Sequence, residues 1–174
     1  MAEPVWWHAL IRDIPDFPQP GVVFKDITPI LRDPHAFREA VTAMTDPWRN
    51  RGIDRVVGVE SRGFIFAAPI ALQLGAGFVP VRKLGKLPHE TISQEYTLEY
   101  GTATLEIHKD GIRRGERVLV VDDLLATGGT IQATAQLVEL LGGHVVGVCF
   151  LVELDFLQGR QRLRDREVVS IIHC

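Results

Sequence analysis

Residues 118–130, "VLVVDDLLATGGT", place two adjacent carboxylates just before a segment of small and hydroxylated side chains. A helix pattern begins near the end of this segment. The backbone N–H groups in the first turn of a helix have no partner within the helix, so they and the helix dipole favour a phosphate there. Paired carboxylates accept hydrogen bonds from vicinal hydroxyls. The segment therefore predicts a site for a sugar phosphate shaped like ribose 5-phosphate. The residues concerned are Asp122, Asp123, Ala126, Thr127, Gly128, Gly129 and Thr130.

The order of these residues is more informative than any one of them. Asp122 and Asp123 alone would fit a strand-ending turn, and Gly128 and Gly129 alone would fit an ordinary helix start. One ligand with a diol near a phosphate needs all of them in this order. The sequence contains no G-x-x-x-x-G-K-[ST] motif and no G-x-G-x-x-G motif after a strand, which excludes a P-loop and a dinucleotide fold.

Strand patterns alternate with helix patterns along the chain. Short apolar, β-branched runs predict strands at 55–60, 77–82, 118–121, 144–154 and 167–172. Asp33 and Pro34 suit the start of a helix running to about residue 50, and apolar residues at a 3.6 period predict another helix from Thr130. This alternation is typical of an α/β domain with a mainly parallel sheet, in which ligands bind beyond the carboxyl ends of strands.

Residues 83–101 interrupt the alternation, because this polar segment contains Gly85 and Pro88 and follows neither period. It predicts a long mobile loop, of the kind that often covers an active site. The next segment, "TATLEIHKD", alternates apolar and polar residues and predicts a half-buried antiparallel strand, so we expect the lid to be a β flap. Arg82, Lys83 and Lys86 concentrate positive charge beside it and are candidates for binding an anion.

The composition is that of an ordinary globular protein. With 174 residues, 46% of them hydrophobic and 24% charged, we expect a single domain over residues 1–174. The net charge of -3 argues against nucleic-acid binding, and no apolar run reaches the length of a membrane span. Cys149 and Cys174 fit neither a disulfide framework nor a metal cluster, and no secretory signal precedes them. We therefore expect a cytoplasmic protein.

The segment at 118–130 resembles the phosphoribosyl pyrophosphate motif of type I phosphoribosyltransferases, in the form found in members that use adenine. Further segments resemble those members in the same order: "FPQPGVVFKDITPIL", "GVESRGFIFAAPIAL", "FVPVRKLGKLPHETISQEYTLEYG" and "LEIHKD". The resemblance implies a mainly parallel twisted sheet flanked by helices. It also implies an N-terminal helix and small base-binding hood within residues 1–33, and a flexible β-flap loop at 83–101.

The resemblance also implies an activity. A member of this family would be a purine salvage glycosyltransferase that transfers the 5-phosphoribosyl group from phosphoribosyl pyrophosphate to adenine, giving AMP and pyrophosphate. It implies a homodimer, and Mg²⁺ that binds with phosphoribosyl pyrophosphate rather than in a metal site built from protein ligands. Positive charge develops on the ribose while pyrophosphate leaves with negative charge, so cations near the leaving group should matter most.

Roles for particular residues follow from the same resemblance. Arg62 and Glu99 would be catalytic, Arg62 beside the pyrophosphate after a cis peptide bond between Glu60 and Ser61, and Glu99 as an acid or electrostatic stabiliser. The residues of 118–130 named above would hold the ribose hydroxyls and wrap the 5-phosphate. The pyrophosphate residues would be Arg62, Arg82, Lys83, Lys86 and Tyr100.

Adenine would lie in the hood, where Val23 and Lys25 offer backbone groups to its edge and Phe24 and Leu124 contact its faces. Some relatives carry arginine where Lys25 stands, a change that recognition by the backbone tolerates. Many relatives carry a basic residue at the position of Leu84. We therefore expect one of their pyrophosphate contacts to be missing here.

Ala126 bears on the choice of base. Members that act on hypoxanthine and guanine typically have an aspartate there, which accepts a ring proton that alanine cannot accept. An enzyme for another base, such as xanthine, is the nearest alternative. A non-catalytic regulator that senses a nucleotide and binds DNA or RNA is a second alternative, but it should have an added domain or a basic face.

Overall fold

The computed structural model describes residues 6–97 and 101–174 of the chain. The chain divides into two compact units, Met1–Ala43 and Met44–Cys174. The single domain expected over residues 1–174 stays a prediction. Within the described residues, no helix is long and apolar enough to cross a membrane.

The first unit contains a two-stranded antiparallel ribbon in which Ile14 pairs with Phe24. Its strands are joined by an ion pair of 2.7 Å between Lys25 and Asp13. Bounds of the elements are: a 3₁₀ turn, Trp6–Leu10; β1, Arg12–Pro15; β2, Val23–Asp26; α1, Thr28–Arg32; and α2, Pro34–Thr45, which extends into the second unit.

Helix α2 begins as the sequence predicts. Oδ1 of Asp33 accepts hydrogen bonds of 2.9 Å from the backbone N–H groups of His35 and Ala36, which is the geometry of an N-cap. The helix predicted to reach about residue 50 ends at Thr45, and a 3₁₀ turn, Asp46–Trp48, follows. Pro47 has no N–H to donate, so the α-helical bonding cannot continue through it.

A seven-stranded mixed sheet forms the second unit, in the order β5-β6-β4-β3-β7-β8-β9. Strands β4, β3, β7, β8 and β9 are parallel to one another, whereas β6 is antiparallel to both β4 and β5. The strand bounds are: β3, Arg55–Val59; β4, Gly77–Lys83; β5, Thr91–Thr97; β6, Thr102–His108; β7, Arg117–Leu125; β8, His144–Glu153; and β9, Val168–His173. All five strands predicted from apolar runs are present.

Two helices follow sheet strands at the carboxyl edge. They are α3, Gly63–Leu74, which follows β3, and α4, Gly129–Leu140, which follows β7. The side chains of Val57, Val120, Phe150 and Leu137 are fully buried in one apolar cluster. Burial of this cluster gives the hydrophobic free energy that holds the carboxyl edge in place. Two short 3₁₀ turns, Asp155–Leu157 and Gly159–Leu163, lie between β8 and β9.

Strand β7 extends further than the sequence predicts. The apolar run ends at Val121, but the strand continues to Leu125 because β8 pairs with it there, from Asp122↔Phe150 to Leu125↔Glu153. Pairing with β3 stops at Gly58↔Val121. The two carboxylates therefore lie inside β7, yet beyond the end of its neighbour β3, and so remain at the carboxyl edge of the sheet.

The segment predicted as an irregular loop contains a regular strand. Strand β5 pairs with β6 along its whole length, from Thr91↔His108 to Thr97↔Thr102. Burial alternates along it, with Ile92 and Tyr96 packed against the core cluster. The predicted β flap is therefore the hairpin of β5 and β6, and the strand predicted in "TATLEIHKD" is β6. Mobility of residues 83–101 stays a prediction.

We predict that Gly147→Ala destabilises the second unit. A Cβ atom at Gly147 would overlap Cη2 of Trp48 and lie 2.6 Å from its Cζ3, and Trp48 is fully buried. Overpacking of this kind costs about 2 kcal/mol, which lowers the melting temperature by roughly 5 °C in a chain of this size. Calorimetry of the variant measures the shift. Trp48→Phe replaces the indole with a smaller ring and relieves the clash, so it should lower the free energy of unfolding less in the Gly147→Ala variant than in the wild type. Strictly additive losses from the two substitutions would contradict the clash.

Candidate active site

The diacid of β7 is fixed by the residues around it. Asp123 is 5% exposed, and its Oδ2 lies 2.8 Å from Nε of Arg62, which immediately precedes α3. Oδ1 of Asp122 accepts a hydrogen bond of 2.9 Å from the backbone N–H of Asp123. The peptide bond between Glu60 and Ser61, just before Arg62, is cis, as the family resemblance implies.

Burial raises the pKa of both carboxyl groups. For Asp122, burial is the largest cause and the negative charge of Asp123 the next, so its pKa lies well above the ordinary value. Burial also raises the pKa of Asp123, although the charge of Arg62 opposes the shift. Two like charges in contact repel each other, and hydroxyl groups that donate hydrogen bonds to both oxygens would relieve this repulsion.

Helix α3 approaches the diacid so closely that only glycine fits at its start. A Cβ atom at Gly63 would lie 2.8 Å from Oδ1 of Asp122 and 3.1 Å from the carbonyl oxygen of Val121. Real side chains do not tolerate the shorter distance against a fixed carboxylate. Gly63 therefore lets the N-terminus of α3 stand against β7, which keeps Arg62 beside Asp123.

The loop after β7 encloses a small cavity at the N-terminus of α4. Gly128 has φ +82°, a left-handed conformation that glycine adopts without strain, and it is the N-cap of the helix. The cavity measures about 60 Å³. Its lining includes most of the residues predicted to hold a 5-phosphate: Ala126, Thr127, Gly128 and Thr130.

A larger cleft of about 410 Å³ adjoins this cavity, since Asp122, Leu124 and Thr130 line both. It brings together residues from the ends of β3, β4 and β7 and from the flap. The lining residues are Val59, Glu60, Ser61, Arg62, Lys83, Tyr96, Leu105, Asp122, Asp123, Leu124 and Thr130. Of the predicted site residues, the cleft thus collects the diacid, two cations, Leu124 and Thr130.

Arg82 and Lys86 are not among the described residues that line the cleft. Nη2 of Arg82 donates to Oε1 of Glu60 at 2.8 Å, and Nη1 donates to the carbonyl oxygen of Lys86 at 3.2 Å. Oε2 of Glu60 accepts a hydrogen bond of 3.0 Å from the backbone N–H of Lys83. The hydrogen bond from Arg82 is the main cause of the lowered pKa of Glu60. Arg82 and Glu60 therefore fix the chain at the end of β4, where Lys83 enters the cleft.

A buried carboxylate on the flap holds the turn that carries Lys86. Glu106 of β6 is 3% exposed, and its Oε1 accepts hydrogen bonds of 2.8 Å from the backbone N–H groups of Lys86 and Leu87. Burial by itself would raise the pKa of Glu106. Hydrogen bonds from the backbone of Leu87, Lys86 and Gly85 outweigh burial and lower it, so the carboxylate is charged.

The remaining predicted residues lie elsewhere. Val23, Phe24 and Lys25 form most of β2 in the first unit, where Val23 and Lys25 are alternate residues of the strand. Alternate residues direct their backbone groups to the same side of a ribbon. Glu99 and Tyr100 lie outside the described residues.

Reasoning from the sequence did not identify Glu60, Gly63, Tyr96 or Glu106 as site residues. Glu60 is adjacent to the "SRGF" segment, whereas the alternation places Glu106 on the polar side of its strand with Thr104 and His108, which gives no signal for its burial. The sequence could not reveal the role of Gly63, because Gly63 and the residue it contacts, Asp122, lie far apart in the sequence.

A mainly parallel sheet with a diacid, a cation and a small-residue loop at its carboxyl edge defines the class of phosphoribosyl transferase domains. Residues 30–173 match the family model described as "Phosphoribosyl transferase domain". The chain therefore has the family's sequence pattern across all the elements that form the cleft.

The relatives narrow the class to one family. The adenine phosphoribosyltransferase of Myxococcus xanthus (strain DK1622) is 58% identical over 165 residues, 95% of this chain and 90% of the relative. The crystal structure of adenine phosphoribosyltransferase from Thermoanaerobacter pseudethanolicus ATCC 33223 is 54% identical, with a TM-score of 0.94 over 96% of this chain and 97% of that one. The chain belongs to the adenine phosphoribosyltransferase family.

A third relative is the adenine phosphoribosyltransferase of Saccharomyces cerevisiae. Its structure is 42% identical to this chain, with a TM-score of 0.89 over 94% of this chain and 95% of that one. It was solved in complex with D-2,5-dideoxy-2,5-imino-altritol 1,6-bisphosphate and adenine.

We predict that Asp122→Asn stabilises the ligand-free protein at neutral pH. A carboxyl group whose pKa is raised on folding destabilises the fold increasingly as pH rises above its unfolded value, about 3.9. Asparagine removes the repelling charge, and its side-chain oxygen keeps the hydrogen bond from Asp123. We expect a melting temperature higher by roughly 3 °C at pH 7 and unchanged near pH 4. Asp165→Asn, at an exposed carboxylate, is the control. A gain of the same size at both pH values would contradict the electrostatic cause.

We predict that Glu106→Gln loosens the turn at residues 85–87. The amide of glutamine keeps one oxygen that can accept these hydrogen bonds but carries no charge, which weakens them by about 1–2 kcal/mol. Hydrogen exchange at the backbone amides of Lys86 and Leu87 should accelerate roughly tenfold. Glu95→Gln changes an exposed carboxylate on the same hairpin and should leave both amides protected. Equal protection of both amides in Glu106→Gln and the wild type would refute the role of the carboxylate.

Proposed function

We propose that this chain transfers the 5-phosphoribosyl group from phosphoribosyl pyrophosphate to adenine, giving AMP and pyrophosphate in purine salvage. The observation that carries the proposal is the joining of the diacid, Arg62 and the loop at the start of α4 in adjoining cavities. A ribose with a 5-phosphate at one end and a diphosphate at the other matches this arrangement.

Asp122 and Asp123 accept hydrogen bonds from the 2- and 3-hydroxyl groups of the ribose. The pKa of each carboxyl group is raised because burial removes water that would otherwise stabilise its charged form. Two hydroxyl donors replace that lost solvation. Fixing the ribose also positions C1 between the leaving pyrophosphate and the incoming base, which lowers the entropic part of the barrier.

The 5-phosphate is bound by the loop from Ala126 to Thr130. Backbone N–H groups at the start of α4 and the hydroxyls of Thr127 and Thr130 are suitable donors. The cavity they line is small and lies beside Asp122. A phosphate there anchors one end of the substrate while the reacting carbon lies in the larger cleft.

Arg62 and Lys83 stabilise the departing pyrophosphate. Both line the cleft, and Asp123 fixes the direction of the Arg62 side chain through its Nε. Preorganised cations of this kind stabilise charge that develops in the transition state. We extend the pyrophosphate site to Arg82, Lys86 and Tyr100 on the family resemblance, with Arg82 acting through Glu60 and the end of β4.

Mg²⁺ is the expected metal and would enter bound to the diphosphate. The cleft fits it, because Asp122 and Asp123 supply carboxylate oxygens, which Mg²⁺ prefers, next to the proposed diphosphate position. When bound, the ion would neutralise charge on the leaving group. Asp122 and Asp123 would hold it through substrate hydroxyls or water.

Recognition of adenine is assigned to backbone groups of Val23 and Lys25, with Phe24 and Leu124 in contact with the base. The Lys25 side chain is held by Asp13, which is consistent with recognition through its backbone rather than its charge. Ala126 offers no proton acceptor to a 6-oxopurine. Glu99 is the proposed acid or electrostatic stabiliser beside the base and ribose.

A homodimer in the cytoplasm is the proposed state of the protein. Leu72 on α3 is 83% exposed, and Ile65 and Phe78 on the same unit are also exposed apolar side chains. Burial of such residues favours association. Cys149 and Cys174 are both free thiols, which suits a reducing compartment.

We predict strong activity with adenine, phosphoribosyl pyrophosphate and Mg²⁺, and loss of activity when a chelator removes the ion. Hypoxanthine, guanine and xanthine should each give at least about a thousandfold lower kcat/KM, roughly 4 kcal/mol of discrimination, because their hydrogen-bonding edges leave buried groups unpaired. Steady-state kinetics with each base measures this. The same preparation should sediment as a dimer.

The alternatives give different results in that experiment. Comparable turnover of xanthine or hypoxanthine would contradict the adenine assignment. Binding of phosphoribosyl pyrophosphate without turnover of any base, together with binding to DNA or RNA, would indicate a regulator. Asp123→Asn is the control for the site, since it should lose activity while keeping the melting transition.

A further inference from the structure

The 3₁₀ turn Gly159–Leu163 packs directly on the loop that follows β7. A Cβ atom at Gly159 would overlap the carbonyl oxygen of Ala126, and a Cβ atom at Gly128 would lie 2.6 Å from the carbonyl oxygen of Gly159. Two glycines thus let two stretches of backbone touch. Leu163 is buried in the main core cluster, so the turn is anchored beneath the loop rather than resting on its surface.

Arg162 extends from this turn along the loop to the start of α4. A Cβ atom at Gly128 would lie 3.4 Å from Cβ of Arg162, and one at Gly129 would lie 3.4 Å from Nη1 of its guanidinium. The end of the flap reaches the same place, since the carbonyl oxygen of Thr97 lies 3.5 Å from that position at Gly129. The guanidinium therefore lies where the loop, the flap and the carboxy-terminal turn meet.

The charge of Arg162 is not compensated in the part of the chain that the structure describes. Nε of Arg160, two residues earlier, donates to both carboxylate oxygens of Glu153 at 2.8 and 2.9 Å, and Nη1 of Arg166 donates to Glu139 at 2.7 Å. Arg162 forms no ion pair with the described residues. A cation beside the N-terminus of a 12-residue helix is repelled by the helix dipole unless an anion lies between them.

We propose that Arg162 is a further phosphate-binding residue, which donates hydrogen bonds to the 5-phosphate of phosphoribosyl pyrophosphate and of AMP. This inference rests on the proposed function. The phosphate monoester lies between the helix N-terminus and the guanidinium, so both the positive end of the helix dipole and Arg162 attract it. Arg162 adds a full positive charge to a loop whose other donors are neutral.

The test compares Arg162→Gln with Arg164→Gln. Arg164 is an exposed arginine two residues further along and has no place in the proposed site. AMP carries the 5-phosphate without the diphosphate, pyrophosphate carries only the diphosphate, and adenosine carries neither. Calorimetric titration of the full chain with each ligand therefore separates the two anion sites.

We expect Arg162→Gln to weaken AMP binding about tenfold, as loss of a charge-assisted bond at an exposed position does, and to leave adenosine and pyrophosphate binding unchanged. Lys86→Ala should do the reverse, weakening pyrophosphate and sparing AMP. Arg162→Lys should recover part of the AMP affinity. The dependence of AMP affinity on salt should be shallower in Arg162→Gln than in the wild type, because one charge is absent.

Two results would overturn the inference. One is AMP affinity in Arg162→Gln equal to that in Arg164→Gln. The other is an equal loss for AMP, adenosine and pyrophosphate with a lowered melting temperature, which would make Arg162 a packing residue. The proposed function fails separately, because its failure would be seen as absence of turnover in the wild-type protein.

Discussion

The close approach of two adjacent carboxylates, the half-buried Asp122 and the buried Asp123, is the constraint around which the carboxyl edge of the sheet is built. Neighbouring strand β8 continues the backbone pairing through the diacid, so the strand does not fray where its side chains repel. Gly63 brings α3 close enough for Arg62 to reach Asp123 at 2.8 Å. The surrounding apolar cluster holds all of these parts in place. The repulsion is thus retained in the folded chain, where a substrate with hydroxyl donors can relieve it.

Acidic residues also arrange the cations of the cleft. Glu60 accepts hydrogen bonds from the guanidinium of Arg82 and the backbone N–H of Lys83, and Glu106 accepts one from the backbone N–H of Lys86. A protein with a net charge of -3 can therefore still place basic residues at one site, because Glu60 and Glu106 hold the basic segment at residues 82–86 in position. The net charge argues against a basic surface that extends over the whole protein, but it gives no information about the charge of a single site.

Parts of this structure could be read from the sequence because their causes are local. Strands of the parallel core appear as continuous apolar runs, and Asp33 caps α2 through residues two and three positions away. The sequence does not predict the end of β7, because pairing with β8 rather than an apolar pattern holds its last residues in the strand. The sequence does not predict strand β5, because the polar side chain of Gln94 interrupts the apolar alternation between Ile92 and Tyr96.

Long-range contacts account for what the sequence did not reveal about the site. The order of residues 118–130 was enough to predict a role for the diacid, whereas the proposed roles of Arg62 and the adenine hood came from resemblance to a known family. Neither source pointed to Glu106 or Arg162. Glu106 acts on a turn some twenty residues away, and Arg162 meets Gly129 across an entire helix and strand.

The attachment of the flap has a mechanical consequence. In the described residues, β5 and β6 pair at seven positions, whereas β6 pairs with β4 only at Arg82↔Glu106 and Lys83↔Leu105. A long pairing resists bending more than a short one, so any displacement of the hairpin should move it as a stiff body about this short joint and against the core cluster that Ile92 and Tyr96 contact. Glu106 lies in the joint itself. Displacement at the outer end of the hairpin would then be transmitted as rotation to the residues that carry Lys83 and Lys86, which couples the flap's angle to the position of the cations.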